Sequence, residues 1–83
     1  MEEFNLTGKE YIELNKLLKL LNWVGTGGEA NIVIDNREVM VNDVIETRRR
    51  NKLRDGDVVK FQTHIITITT RHLDNSKLEQ FEI

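Results

Sequence analysis

The chain has 83 residues, of which 39% are hydrophobic and 31% are charged, a length and composition that suit one folded domain and leave no room for a second. It contains no cysteine, which excludes a disulfide framework, a thiolate zinc site and a cysteine nucleophile. No signal-peptide or membrane-spanning run is visible in the sequence, so we expect a cytoplasmic protein with no membrane partner.

The positive charge is concentrated in one segment, although the formal net charge is −2. Residues 48–54 read RRRNKLR, and we call this segment the basic run. It holds five basic residues and no acidic one, which leaves seven basic residues against 14 acidic ones in the rest of the chain. An acidic body with one basic face would orient an approaching polyanion within a range of about 8–10 Å at physiological salt.

The N-terminal part predicts a short strand over residues 2–6 and then an amphipathic helix. Thr7 and Glu10 have the spacing of a capping box, in which a hydroxyl and a carboxylate satisfy N–H groups at a helix start. Apolar residues then recur at helical spacing, which predicts a helix over residues 9–21. These residues are Tyr11, Leu14, Leu17, Leu18 and Leu21.

A second helix is predicted by the same capping pattern at Thr26 and Glu29. It would end near Asp35 and Asn36, which tolerate the backbone geometry of a helix terminus. Its inward-facing residues would be Ala30, Val33 and Ile34.

The chain then becomes extended and β-branched. Residues 39–41 and 44–45 predict two short strands around a turn at Asn42 and Asp43. The sequence Asp55-Gly56-Asp57 is a strong turn signal ahead of further β-branched residues.

A terminal hairpin is predicted from strands over residues 58–61 and 65–69, with a polar break at 62–64. Residues 71–83 form a C-terminal extension that either docks or frays. Docking would use Leu78, Phe81 and Ile83. We therefore predict an α+β fold in which residues 1–70 form a single domain, with two helices packed on a small, mainly antiparallel sheet of four to five short strands.

Four motifs follow one another in a distinctive order: a leucine-rich helix, a Thr-Gly-Gly-Glu-Ala helix start, Val-x-Val-Asn, and Leu-Arg-Asp-Gly-Asp-Val after basic residues. They occupy residues 14–21, 26–30, 39–42 and 53–58. This order resembles the RNA-binding domain named after small-subunit ribosomal protein four, whose two helices and following strands form the αL motif. The resemblance runs from about Tyr11 to Ile68.

Within that family, Glu46-Thr47-Arg48-Arg49 followed by Lys52-Leu53 is similar to small bacterial proteins that consist of this domain alone. The resemblance implies binding of structured RNA, most often ribosomal or transfer RNA, without catalysis, cofactor or small-molecule substrate. The chain departs from the family at positions where basic residues or glycines are common. The departures are Gly27, Asn31, Arg37 and Asp43.

The basic run is the main candidate for RNA binding, because guanidinium and ammonium groups bind phosphate through charge-assisted hydrogen bonds. Its cations are Arg48, Arg49, Arg50, Lys52 and Arg54. Alternation in an extended segment would place Arg48 and Arg50 on one side and Arg49 on the other. The alternative is a solubilising face paired with acidic neighbours, which we expect to be Glu46, Asp55 and Asp57.

The second candidate is the start of the second helix, where unpaired N–H groups at Thr26, Gly27 and Gly28 would attract a phosphate. Alternatively, the glycines only shape a tight turn between the helices. Lys16 and Lys19 on the first helix, Asn31 on the second and Arg37 after it would widen the surface. Such lysines are more often simply solvated.

The aromatic side chains fall mostly at positions predicted to lie in the core. They are Phe4, Tyr11, Trp23, Phe61 and Phe81. Recognition of RNA shape and backbone is therefore expected rather than base stacking. Asn42 is expected to hold its turn by a side-chain hydrogen bond rather than to contact RNA.

No nucleophile, paired carboxylates or metal cluster is visible, and His64 and His72 are too far apart for an i, i+4 metal motif. His64 is expected at the surface of a hairpin turn. We therefore expect a non-catalytic, monomeric RNA-binding module. Two other hypotheses remain: an adaptor that binds an acidic protein with the same surface, and a subunit that works only inside a ribosomal particle.

Overall fold

The computed structural model describes residues 2–70. The helices are α1 (Leu14–Leu20) and α2 (Gly27–Asp35). The strands are β1 (Glu2–Asn5), β2 (Ile12–Glu13), β3 (Val39–Val41), β4 (Val44–Ile45), β5 (Lys52–Leu53), β6 (Val58–Phe61) and β7 (His64–Thr69).

Five of the strands form one sheet in the order β1-β7-β6-β3-β4. All neighbours are antiparallel except β1, which lies parallel to β7. The two helices pack together and onto this sheet, so the predicted α+β fold with a mainly antiparallel sheet is confirmed. A separate pair, β2 with β5, joins Ile12 to Leu53 and Glu13 to Lys52, and no pattern in the sequence indicated this pairing.

The core lies between the helix pair and the five-stranded sheet. The fully buried side chains of α1 are Leu14, Leu17 and Leu18, and those of α2 are Ala30 and Ile34. The other buried apolar residues come mainly from the strands: Val39, Val41, Leu53, Val59, Phe61, Ile66 and Ile68. Each large aliphatic side chain removed from water contributes about 1.5–3 kcal/mol, so this cluster fixes the helices on the sheet.

The first helix is shorter than predicted, because it begins at Leu14 and not near residue 9. The predicted cap at Thr7 is wrong: Thr7 has a left-handed backbone with φ of 50°, and its N–H donates to Asn5 Oδ1 at 2.7 Å. Residues 12–13 pair with β5 instead of joining the helix. A long-range strand pair thus overrides the helical pattern that Tyr11 and Glu10 suggested.

The second helix begins as predicted. The N–H of Glu29 donates to Thr26 Oγ1 at 3.0 Å, and Glu29 Oε1 accepts from the N–H of Gly25 at 2.6 Å. The helix ends at Asp35, and the left-handed residue that reverses the chain is Arg37, with φ of 64°.

The turn between β3 and β4 is built by Asn42 and Asp43, which both have left-handed backbones, with φ of 54° and 67°. Two such residues in succession are typical of a tight hairpin turn. Asn42 also ties the hairpin to the next turn, since its Oδ1 accepts from the N–H of Val58 at 2.9 Å and its Nδ2 donates to Asp57 Oδ1 at 3.0 Å. Asn42 therefore has a structural role, although its side-chain hydrogen bonds join two turns and do not close its own turn as predicted.

The predicted hairpin of β6 and β7 is present, with β7 beginning one residue early at His64. The imidazole of His64 is exposed and stacks on the indole of Trp23, with 4.9 Å between ring centroids. The predicted C-terminal extension, residues 71–83, lies outside the described residues. Within residues 2–70, neither helix has the length and apolar character needed to cross a membrane.

Candidate nucleic-acid interface

The start of the basic run is a turn and not an extended strand. The carbonyl of Arg48 accepts from the N–H of Asn51 at 3.2 Å, so the chain reverses at Arg49 and Arg50 before entering β5. The extended conformation predicted for residues 48–50 is therefore wrong.

This turn lies against the start of α1 and satisfies its first N–H groups. Leu14 N–H donates to the carbonyl of Asn51 at 2.9 Å, and Asn15 N–H donates to the carbonyl of Arg49 at 3.0 Å. The first N–H groups of a helix have no partner within the helix, and no side chain caps α1. The backbone of the basic run is thus the cap of α1, which holds the run in a defined conformation.

Two arginines of the run form two-pronged ion pairs. Arg48 donates from Nε and Nη2 to the Glu46 carboxylate at 2.9 and 3.0 Å, and its backbone N–H donates at 2.9 Å. Arg49 donates from Nε to Asp35 Oδ1 at 3.0 Å and from Nη2 to Asp35 Oδ2. These hydrogen bonds lower the pKa of Glu46 and of Asp35 below the ordinary carboxyl value and raise the pKa of both arginines.

Arg50 has a looser partner in Glu13 at the end of β2. Its Nε lies 3.8 Å from Glu13 Oε1, and Lys16 Nζ lies 3.6 Å from the same oxygen. Glu13 therefore joins the basic run to the first turn of α1.

The expected acidic partners are only partly right. Glu46 pairs with Arg48, but Asp55 accepts from the N–H of Thr70 at 3.0 Å. Asp57 accepts from the N–H of Arg54 at 2.8 Å, so both aspartates stabilise the turn before β6.

Four residues of the run line a shallow surface depression of about 470 Å³, which we call the basic depression: Arg48, Arg50, Asn51 and Lys52. Arg49 is not part of this lining, because it is held by Asp35 at the end of α2. Arg48 and Arg50 share one side, with 75% and 79% of their side chains exposed. Arg49 is separated from Arg48 and Arg50, as expected, but the turn at residues 48–51 separates them and not the alternation of an extended strand.

Tyr11 is a residue of this surface that the sequence did not reveal. Lys52 Nζ lies 5.0 Å and Arg54 Cζ 5.4 Å from the centroid of its ring, distances at which a cation is attracted to an aromatic face. Tyr11 precedes β2, and β2 pairs with β5, so the strand pair sets these contacts. The spacing of Tyr11 suggested a helix, so these contacts with Lys52 and Arg54 were not predicted. They depend on the long-range pairing of β2 with β5.

The second candidate is the start of α2. It lies at the opposite end of α2 from Asp35, the residue that holds Arg49. Nine residues span about 13 Å along a helix axis, so Thr26 is well separated from Asp35 and Arg49. Neither Gly27 nor Gly28 has a left-handed backbone. A side chain at Gly27 would meet nothing within 4 Å, so the turn between the helices does not require glycine there.

The remaining candidates lie on the two helices or just after α2. Lys16 and Lys19 are exposed and line a second shallow depression on α1. Asn31 is half-buried, and its Oδ1 accepts from Asn15 Nδ2 at 3.3 Å across the helix pair. Arg37 is exposed after α2. Among residues 2–70, no group of three His, Asp or Glu side chains is placed to hold a metal ion.

Comparisons with known proteins agree with this architecture. The family description "S4 domain" matches residues 4–69. YbcJ of Escherichia coli (strain K12), provisionally named an RNA-binding protein, is 37% identical over 68 residues, which cover 82% of this chain and 97% of YbcJ. RlbA of Bacillus subtilis (strain 168), provisionally named a ribosome maturation protein, is 42% identical over 53 residues, or 64% of this chain and 75% of RlbA.

The fold is also similar to a solved structure. The solution structure of Escherichia coli YbcJ, described as revealing an αL motif involved in RNA binding, has a TM-score of 0.65 and 36% sequence identity. The match covers 84% of this chain and 89% of that structure.

Proposed function

The chain belongs to the S4 domain family, and on that premise we propose that it binds structured RNA without catalysing a reaction. The RNA is ribosomal or transfer RNA, and the process is ribosome assembly or translation. The names of the relatives support this, since one is named for RNA binding and another for ribosome maturation.

The observation that carries the proposal is the basic depression. Three cations converge on one surface, Arg48 and Arg50 are more than 70% exposed, and the backbone beneath them is fixed by the start of α1. A segment whose backbone is already ordered presents its cations to the phosphates of a folded RNA at less entropic cost than a disordered segment would.

The chemistry of this surface favours the RNA backbone over the bases. Arginine donates two parallel hydrogen bonds to a phosphate, while lysine acts as a point charge. The Tyr11 ring is already faced by Lys52 and Arg54, so it supports cations rather than offering an open stacking surface. The spacing of the phosphates in a folded RNA would then determine selectivity.

Replacing Arg50 and Lys52 together by glutamine tests the proposal. Arg48 is left in place, because its removal would leave the Glu46 carboxylate unpaired. If each cation neutralises one phosphate, the slope of log affinity against log salt falls by about 2. Affinity for bulk transfer RNA or a ribosomal RNA fragment at low salt falls at least about tenfold.

The matched control replaces Lys60 and Lys77 by glutamine, which removes the same formal charge. Lys60 is ion-paired with Asp43, and Lys77 lies outside the described residues. If the two double variants bind RNA equally well, the basic depression is not the site. If the wild-type protein shows no preference for folded RNA over polyuridylate, an acidic protein partner becomes the better hypothesis.

A further inference from the structure

Two arginines of the basic run, Arg48 in the basic depression and Arg49 beside it, are already engaged by the protein's own carboxylates. Asp35 at the end of α2 and Glu46 after β4 each hold one arginine through two guanidinium donors. A carboxylate bound in this way occupies the same pair of donors that an RNA phosphate would use.

The two pairs are accessible to a competing anion. The side chain of Arg49 is 53% exposed and that of Asp35 is 45% exposed. Arg48 is 75% exposed, although Glu46 beneath it is only 13% exposed. An ion pair whose arginine is largely exposed contributes little net free energy, so a correctly placed phosphate can compete with either carboxylate for its guanidinium.

We propose that Asp35 and Glu46 are built-in competitors for RNA phosphate, which weaken the binding of any single phosphate and thereby make stable binding depend on several phosphates in the correct positions. The inference rests on the proposed RNA-binding function. It predicts that removing either carboxylate strengthens binding, whereas a carboxylate that merely positioned its arginine would weaken binding when removed.

The charge distribution supports competition. The chain carries net negative charge, and the only cations that the sequence concentrates are in the basic run. Each carboxylate both occupies a guanidinium and repels an approaching phosphate at short range. Together these effects correspond to about a threefold to tenfold loss of affinity for each carboxylate.

The experiment compares Asp35→Asn and Glu46→Gln with the wild-type protein, using bulk transfer RNA as the folded probe and polyuridylate as the unstructured one. Both variants should bind transfer RNA about threefold to tenfold more tightly, and polyuridylate by a larger factor, so that preference for folded RNA falls. Glu2→Gln removes the same charge from β1, at the opposite edge of the sheet from β4, and should change affinity less than about twofold at physiological salt.

A double-mutant cycle separates release of the arginine from a general change in charge. In an Arg49→Gln background, Asp35→Asn should lose most of its gain, because no guanidinium remains to be released. Circular dichroism of each variant checks that the fold is intact.

Each outcome bears on a different claim. Weaker or unchanged binding by both carboxylate variants overturns the competition, even if the Arg50/Lys52 double variant still loses its affinity. If that double variant binds transfer RNA as well as its control does, the RNA-binding proposal itself fails. An equal gain in RNA affinity from Glu2→Gln would also overturn the competition. Removal of any negative charge would then strengthen binding, wherever that charge lies in the protein.

Discussion

The two helices of this molecule start in different ways. At the start of α2, Thr26 and Glu29 satisfy nearby backbone N–H groups with their own side chains, three and four residues away along the chain. At the start of α1, the N–H groups of Leu14 and Asn15 are satisfied by carbonyls of the basic run. One start is therefore local and self-sufficient, and the other depends on a distant segment.

The difference connects folding to the proposed function. Because the basic run caps α1, the conformation that presents its cations is tied to the packing of that helix. The start of α2 can be altered without moving those cations. Changes near β5 should therefore affect both stability and RNA binding, while changes at Thr26 should affect stability alone.

The largest effect is expected from Leu53→Ala in β5. Leu53 is fully buried and pairs with Ile12, so its truncation should cost about 2–5 kcal/mol of unfolding free energy, measured by urea denaturation. Leu20→Ala is the matched control, since Leu20 is 63% exposed and should change stability by no more than about 0.5 kcal/mol. Equal costs for the two variants would contradict the account of the core.

A smaller effect is expected from Thr26→Ala, which removes the side-chain cap of α2. The loss should be about 1 kcal/mol, seen as a lower Tm, with RNA affinity little changed. A collapse of RNA affinity at unchanged Tm would instead show that the Thr26 hydroxyl binds RNA. The start of α2 would then not affect stability alone.

Gly27→Ala should act in the opposite direction. A side chain there meets nothing within 4 Å, and alanine favours the helix and restricts the unfolded chain, so we expect stabilisation by about 0.5 kcal/mol. Thermal unfolding measures it. A destabilised variant would show that the start of α2 needs glycine after all.

The smallest effect is the pH dependence of the stability that the Glu46–Arg48 pair provides. Hydrogen bonds from Arg48 lower the pKa of the Glu46 carboxyl in the folded protein. The folded state therefore binds a proton at Glu46 less readily than the unfolded chain does. The stabilisation is complete above the ordinary carboxyl pKa and is lost as pH falls through the lowered value. Because Arg48 is largely exposed to solvent, we expect the pair to contribute less than about 0.5 kcal/mol.

Thermal unfolding of wild type and Glu46→Gln from neutral to acidic pH checks this. The Tm difference should be present at neutral pH and should disappear in acid. A difference that persists or grows in acid would mean that the pair does not stabilise the fold through its charge.

The same contrast explains what the sequence could predict of the fold. The start of α2 and the positions of the turns at Asn42 and Gly56 can be recognised from adjacent residues, and all three were predicted. The hydrogen bonds that join Asn42 to Asp57 and Val58 were not predicted. The start of α1 was not, because Thr7 and Glu10 offered a local cap that the pairing of β2 with β5 overrides. That pairing joins segments too distant for any local pattern to reveal.

The candidate site shows the same limit. Charge clustering located the basic run, because five cations in seven residues are visible in the sequence alone. The partner of Arg48 is two residues away, and it was named only in the alternative hypothesis of a solubilising face. Asp35 and Glu13 were not expected as partners of Arg49 and Arg50, since only the packing of α2 and β2 beside the run brings them there.

The central claim is that RNA binds at the basic depression, and the most direct test is a titration of the ¹⁵N-labelled protein with bulk transfer RNA followed by NMR. We expect the largest chemical-shift changes for the amides of residues 48–52 and smaller ones at Tyr11 and Lys16. We expect little change at Thr63 in the turn between β6 and β7. Shifts concentrated in that turn or along β1, with residues 48–52 unperturbed, would contradict it.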